Sequence, residues 1–159
     1  MPYFTLNTSL NLTDEDKASA ITAITTAVLS VAPAMPVDKI QVTITPKSKA
    51  DLGRGGYNSL DEDFSTKSRI VSNDSKESYY RSENRSEDLA VIEVDPWDIF
   101  TKEQKQGISS QITEYLKTQY HLSGDNVLIL FRDMPAGNWF QNAVAGDEDN
   151  FLEASRSFD

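Results

Sequence analysis

A tandem repeat constrains this chain more than any other feature. An apolar stretch at residues 3–7 precedes Thr13-Asp14-Glu15-Asp16-Lys17, and another at 89–94 precedes Thr101-Lys102-Glu103-Gln104-Lys105. The shared Thr-x-Glu-x-Lys pattern recurs 88 positions on, and self-similarity at one period marks a duplicated structural unit. Helical periodicity follows in each copy. Ile21, Ile24, Val28 and Val31 share one face in the first, and Ile108, Ile112, Tyr115 and Leu116 share one in the second. Each helix opens on a threonine with an acid or amide three residues later, Asp16 and Gln104, the spacing of a capping box. A strand follows each helix, at 40–45 and 127–131, with starts 87 positions apart. The expected layout is a β-α-β unit over 1–56, a polar insertion over 57–84, a second unit over 85–142 and an acidic tail over 143–159, all in one compact domain.

A β-α-β connection favours parallel pairing within each unit and a right-handed crossover. Side by side, two units make an α/β (α+β) domain: a four-stranded mixed sheet with both helices on one face. Ile40, Val42 and Ile44 alternate with Gln41, Thr43 and Thr45, which predicts one buried and one polar face. Residues 127–131, Val-Leu-Ile-Leu-Phe, are apolar on both faces and predict a strand covered on both sides. A second subunit is the simplest cover, so oligomerisation is expected.

Composition narrows the chemistry. The 159 residues include no cysteine and a single histidine, His121, which excludes disulfides, thiolate nucleophiles and multi-histidine metal sites. Lys and Arg number 15 against 25 Asp and Glu, and the net charge of -10 argues against nucleic acid or anionic membrane as partners. No apolar run approaches a bilayer span, and the start lacks the pattern of a signal peptide, so a soluble, cytoplasmic protein is expected. His121, at the predicted end of the second helix, suits a structural role through the helix dipole. The insertion reads either as a solvated segment or as a lid anchored by Tyr79-Tyr80. Phe151, Leu152 and Phe158 in the tail are expected to dock on this subunit or a neighbour.

Three places carry candidate chemistry. Pro2 becomes a free secondary amine if Met1 is removed. An α-amine titrates near 7.7–8.0, and burial lowers that value, which suits a general acid–base at neutral pH. Gly53-Arg54-Gly55-Gly56 reads either as a turn aiming Arg54 at an anion or as a flexible hairpin with a solvated arginine. Arg132-Asp133-Met134-Pro135-Ala136-Gly137-Asn138-Trp139-Phe140-Gln141 reads either as a pocket wall with hydrogen-bonding amides or as an apolar plug.

Taken together, these features resemble the tautomerase superfamily. Pro2 opening a strand and Lys49-Ala50-Asp51-Leu52-Gly53-Arg54-Gly55-Gly56 are similar to 4-oxalocrotonate tautomerase. Asp133-Met134-Pro135-Ala136 resembles the Glu-Met-Pro-Ala of cis-3-chloroacrylic acid dehalogenase. Asn138-Trp139-Phe140 and Arg85-Ser86-Glu87-Asp88-Leu89 resemble malonate semialdehyde decarboxylase, and the two-unit length also fits macrophage migration inhibitory factor. The likeness covers about 1–57 and 85–142. It implies a homotrimer with a tautomerase/MIF-like fold, no cofactor or metal, Pro2 as catalytic acid–base, and small 2-oxo acids or enols as substrates. It further implies that Asp38 positions water and that Trp139 and Phe140 wall the pocket, with Asn138 and Gln141 hydrogen-bonding there. The chain departs from the pattern where family arginines are replaced by Leu12, Gln41 and the segment Asp95-Pro96-Trp97-Asp98-Ile99-Phe100. Met35, Leu128, Leu130 and Gln141 stand where other members carry catalytic polar residues. Arg54 and Arg132 are the expected substitutes for the missing carboxylate clamp, with Arg81 and Arg85 if the insertion folds over the site. The expected activity is keto–enol tautomerisation. The alternatives are a hydratase or decarboxylase-type lyase using Asp38, and a binding or signalling module that has lost catalysis.

Overall fold

The computed structural model describes residues 1–69 and 86–157. Tyr79, Tyr80, Arg81, Arg85 and Phe158 fall outside the described residues. Strand β1 (Tyr3–Thr8) leads to helix α1 (Asp14–Val31), a 3-10 turn (Val37–Lys39) and β2 (Gln41–Pro46). A hairpin follows, β3 (Gly53–Arg54) and β4 (Tyr57–Asn58), then a short helix α2 (Phe64–Lys67). The same series then repeats. It runs β5 (Ala90–Asp95), α3 (Lys102–Tyr120), a 3-10 turn (Gly124–Asn126), β6 (Val127–Phe131), β7 (Phe140–Gln141), β8 (Val144–Ala145) and α4 (Phe151–Ala154). Both capping boxes form as the spacing predicts: Thr13 and Thr101 accept from the amides of Asp16 and Gln104, whose side chains answer the cap amides.

The sheet order is β2-β1-β5-β6. Pairing is parallel within each unit, while β1 and β5 run antiparallel, Tyr3 opposite Asp95 and Thr8 opposite Ala90. Alternation along β1 and β5 turns Phe4, Leu6, Ile92 and Val94 toward α1 and α3, where they meet Ile24, Val28, Ile108, Ile112 and Leu116 in one core. Ile21 is exposed instead, because Ala20, Ile24, Ala27 and Val28 form the buried stripe of α1. Among the described residues, nothing covers the second face of residues 127–131, the face for which a second subunit is the expected cover. Leu128 and Leu130 are 50% and 43% exposed, since both helices lie on the face to which Val127 and Ile129 turn.

The duplication reaches further than the sequence pattern indicates. Residues 57–69 and 144–156 are counterparts at the 87-residue offset: β4 matches β8, α2 matches α4, Phe64 matches Phe151 and Arg69 matches Arg156. Each copy sends this module across to the other. Arg69 pairs with Asp125, and Arg156 pairs with Asp38, the residue 87 positions before Asp125. The hairpin turns match as well. Gly55 and Gly56 have φ of 62° and 86°, and Asn142 and Ala143 have 52° and 59°, the left-handed pair that a two-residue hairpin demands. Asn142 accepts that conformation and donates to the carbonyls of Ala154 and Ser157, tying the hairpin to α4.

Candidate active site

The start of β1 lies between the start of β2 and the end of β5, which buries both Met1 and Pro2. The Gln41 amide donates to the Pro2 carbonyl at 3.2 Å and the Trp97 amide to the Met1 carbonyl at 3.3 Å. Continued by two residues, the register sets residue 1 between Lys39 and Trp97, all on one face of the sheet. Met1 is only 3% exposed and lines a cavity of about 290 Å³ with Met35, Pro36, Trp97, Ile99 and Phe151. Burial lowers the Met1 amine from 8.0 to about 5, the direction expected of a charged form deprived of water.

Module 144–156 roofs this end. Phe151 packs edge-on against Trp97 with ring centroids 5.4 Å apart, so the tail docks on its own chain. Trp97 packs against Gly146, where any Cβ would run into the indole ring and the Ala136 carbonyl oxygen. Beneath Phe151 sits Lys39, its side chain fully buried. Its Nζ donates to Gln141 Oε1 at 2.9 Å and Ser155 Oγ at 2.7 Å and lies 5.4 Å from the Phe151 ring centroid.

The expected site residues separate by position. Pro2 and Gln141 belong to this end. Asp38 does too, but Arg156 holds it in a two-point pair at 2.7 and 2.9 Å and draws its carboxyl down to about 2. Arg132 also lies at this end of the sheet, where Asp95 binds its guanidinium at 2.7 and 2.8 Å and Glu93 at 3.1 Å. Arg54 is at the far end of β1, about 17 Å away at 3.4 Å per residue. There it donates to the Asp125 carbonyl and to Ser68, and stacks over Phe64. Asn138 is exposed, Trp139 half-buried and Phe140 64% exposed, so none of the three lines the cavity of its own chain. The aromatic wall comes instead from Trp97 and Phe151. Trp97 stands in the segment that departs from the family arginines. Trp97 lies two residues beyond the end of β5, outside the alternating run, and so gives no periodic signal, and Lys39 reads as an ordinary surface lysine until its roof is in place. Among the described residues, no group of three or more His, Asp or Glu side chains is arranged to hold a metal, and no helix is long and apolar enough to cross a membrane.

No family model matches the sequence, and no curated protein does. Solved structures do match the architecture. A native fused 4-OT superposes with a TM-score of 0.68 at 16% identity, covering 91% of this chain and 95% of that one. A malonate semialdehyde decarboxylase, FG41, inhibited by 3-bromopropiolate, gives 0.61 at 16% identity over 94% of both chains. A macrophage migration inhibitory factor-like protein from Entamoeba histolytica gives 0.61 at 16% identity over 87% of this chain and 93% of that one. At such identity the likeness is one of architecture: the repeated β-α-β units of this chain carry the fold of the tautomerase superfamily.

Proposed function

We propose that the chain, once Met1 is removed, is a cytoplasmic, cofactor-independent tautomerase in which the Pro2 amine moves a proton within a small enol or 2-oxo acid. The observation that carries this reading is the position of Pro2, buried at the start of β1 beside a largely apolar cavity of about 290 Å³. A neutral amine takes the enol O–H proton, negative charge develops on that oxygen, and the proton is returned to the neighbouring carbon. One O–H bond breaks and one C–H bond forms, without oxidation or reduction. Burial of the same end favours the neutral amine. The lyase alternative is less well supported, because Asp38 is engaged by Arg156.

The exposed Leu128 and Leu130 favour a homotrimer in which a neighbour covers the open face of the sheet. Fused 4-OT structures are described as trimers. The binding-module reading rests on Met1 itself. If retained, it fills this end of the site and leaves the Pro2 nitrogen an amide without basicity. Intact mass decides which form exists, and ketonisation of phenylenolpyruvate by the Met1-free chain and by Pro2→Ala tests the chemistry. A drop of about a hundredfold or more in the variant is expected. Equal rates would sink the role of Pro2.

A further inference from the structure

The two ends of the duplicated sheet differ in how their cations are matched. At the far end, Arg54 and Arg69 meet Asp125 and Glu87, two cations against two carboxylates. At the Pro2 end, Arg132 is taken by Asp95 and Glu93, and Arg156 by Asp38. Among the described residues, the carboxylate ion-paired with Lys39 is Asp38, which it shares with Arg156. Its two close partners, Gln141 and Ser155, are neutral, and the nearest acid oxygen is Asp38 Oδ2 at 3.6 Å, already bound by Arg156. An ammonium has three hydrogens to donate, and here two are used. Position 126, the counterpart of Lys39 at the 87-residue offset, is Asn126, so the repeat architecture does not itself require a charge at this position. One carboxylate thus serves two cations, Lys39 and Arg156; a buried cation so under-compensated is costly, and an anionic ligand would relieve that cost. Next to it, across residue 1, the Trp97 indole N–H is buried and has no hydrogen-bond partner among the described residues.

We propose that Lys39 and the indole N–H of Trp97 form the anion-holding end of the Pro2 pocket. The ligand is a monocarboxylate or enolate with an apolar body. That body lies among Met35, Ile99 and Phe151, and its negative oxygen enters the space that Met1 vacates and takes the third Lys39 hydrogen. Glu148 and Asp149, on the rim, are exposed and screened by water, so the buried charge of Lys39 sets the preference for an anion. This assignment rests on the tautomerase reading only in taking the ligand to be substrate.

The test separates the two. Binding of phenylacetate and of its neutral methyl ester to the Met1-free full chain is measured by calorimetry for wild type, Lys39→Arg, Lys39→Gln and Pro2→Ala. Phenylacetate affinity is expected to fall roughly ten- to a hundredfold in Lys39→Gln, as for loss of a hydrogen bond to a charged group. It should persist in Lys39→Arg and Pro2→Ala, while ester binding stays level throughout. Equal phenylacetate binding by wild type and Lys39→Gln would overturn the assignment. So would a wild type that binds ester as tightly as acid, a comparison that holds even if Lys39→Gln does not fold. Phenylacetate binding that depends on Lys39, with phenylenolpyruvate turned over equally by wild type and Pro2→Ala, would remove the catalytic role of Pro2 and keep the anion site.

Discussion

The duplication supplies a matched pair of arginines on which the energetics of burial can be tested. Arg69 and Arg156 occupy equivalent positions and grip equivalent aspartates, yet the Arg69 side chain is 1% exposed and that of Arg156 is 47% exposed. Arg69 donates to Asp125 at 2.7 and 3.2 Å, to Glu87 at 3.0 and 3.2 Å and to the Ser65 carbonyl at 2.7 Å. Replacing it with methionine keeps the length of the stem but leaves Glu87 and Asp125 without that cation. Breaking a buried pair from one side costs about 3–5 kcal/mol. The carboxylates are part-exposed and regain some water, which reduces the expected loss to about 2–3 kcal/mol. At about 2–4 °C per kcal/mol for a domain of this size, Tm falls by roughly 4–12 °C. Arg156→Met should leave the unfolding midpoint unresolved from wild type, because water already solvates that pair. Urea unfolding followed by far-UV circular dichroism, with the slope m unchanged, measures both. The reasoning is refuted if the two variants lose equal stability, or if Arg69→Met loses none.

Three further outcomes follow from the same geometry. Gly146→Ala should cost about 1–3 kcal/mol by over-packing and red-shift tryptophan emission, because the backbone oxygen of Ala136 cannot yield to a methyl group. In a chain that keeps Met1, the amine is held at about 5 in the folded state against 8.0 when unfolded. The unfolded chain therefore binds the extra proton between these values, and stability is greatest above pH 8 and declines as pH falls toward 5. The shift corresponds to at most about 4 kcal/mol, reduced to about 2 kcal/mol because the amine is only part-desolvated. N-terminal acetylation should flatten that slope in a thermal-melt series, and an unchanged slope would contradict it. Leu130→Glu, on the exposed sheet face, should convert an oligomer to monomers by light scattering while leaving the far-UV spectrum intact.

Much of the architecture is legible in the sequence because it rests on local rules. Apolar alternation and helical period depend on near neighbours, so the four strands were foreseeable to within about one residue at either end. The two capping boxes were foreseeable for the same reason. The short modules 57–69 and 144–156 are not legible in the sequence, because hairpins and helices of a few residues have no period to read. Their kinship shows in an aligned Phe-x-x-x-Ser-Arg: Phe64, Ser68 and Arg69 against Phe151, Ser155 and Arg156.

The candidate site divides along the same line. Pro2 at the head of a strand is a sequence fact, and its burial follows from the strand being central in a duplicated sheet. Which charge stands near it is not a local property. Arg54 and Arg132 are the obvious cations by motif, yet the fold gives Arg54 to Asp125 and Arg132 to Asp95. Lys39 looks like a surface residue until module 144–156 closes over it with Phe151 and Ser155. The sequence by itself determined the repeat, the sheet and the proline. Only the tertiary structure decided which cation must share its carboxylate, because charge pairing is settled by contacts between segments distant in the chain, as between Arg156 and Asp38, 118 residues apart.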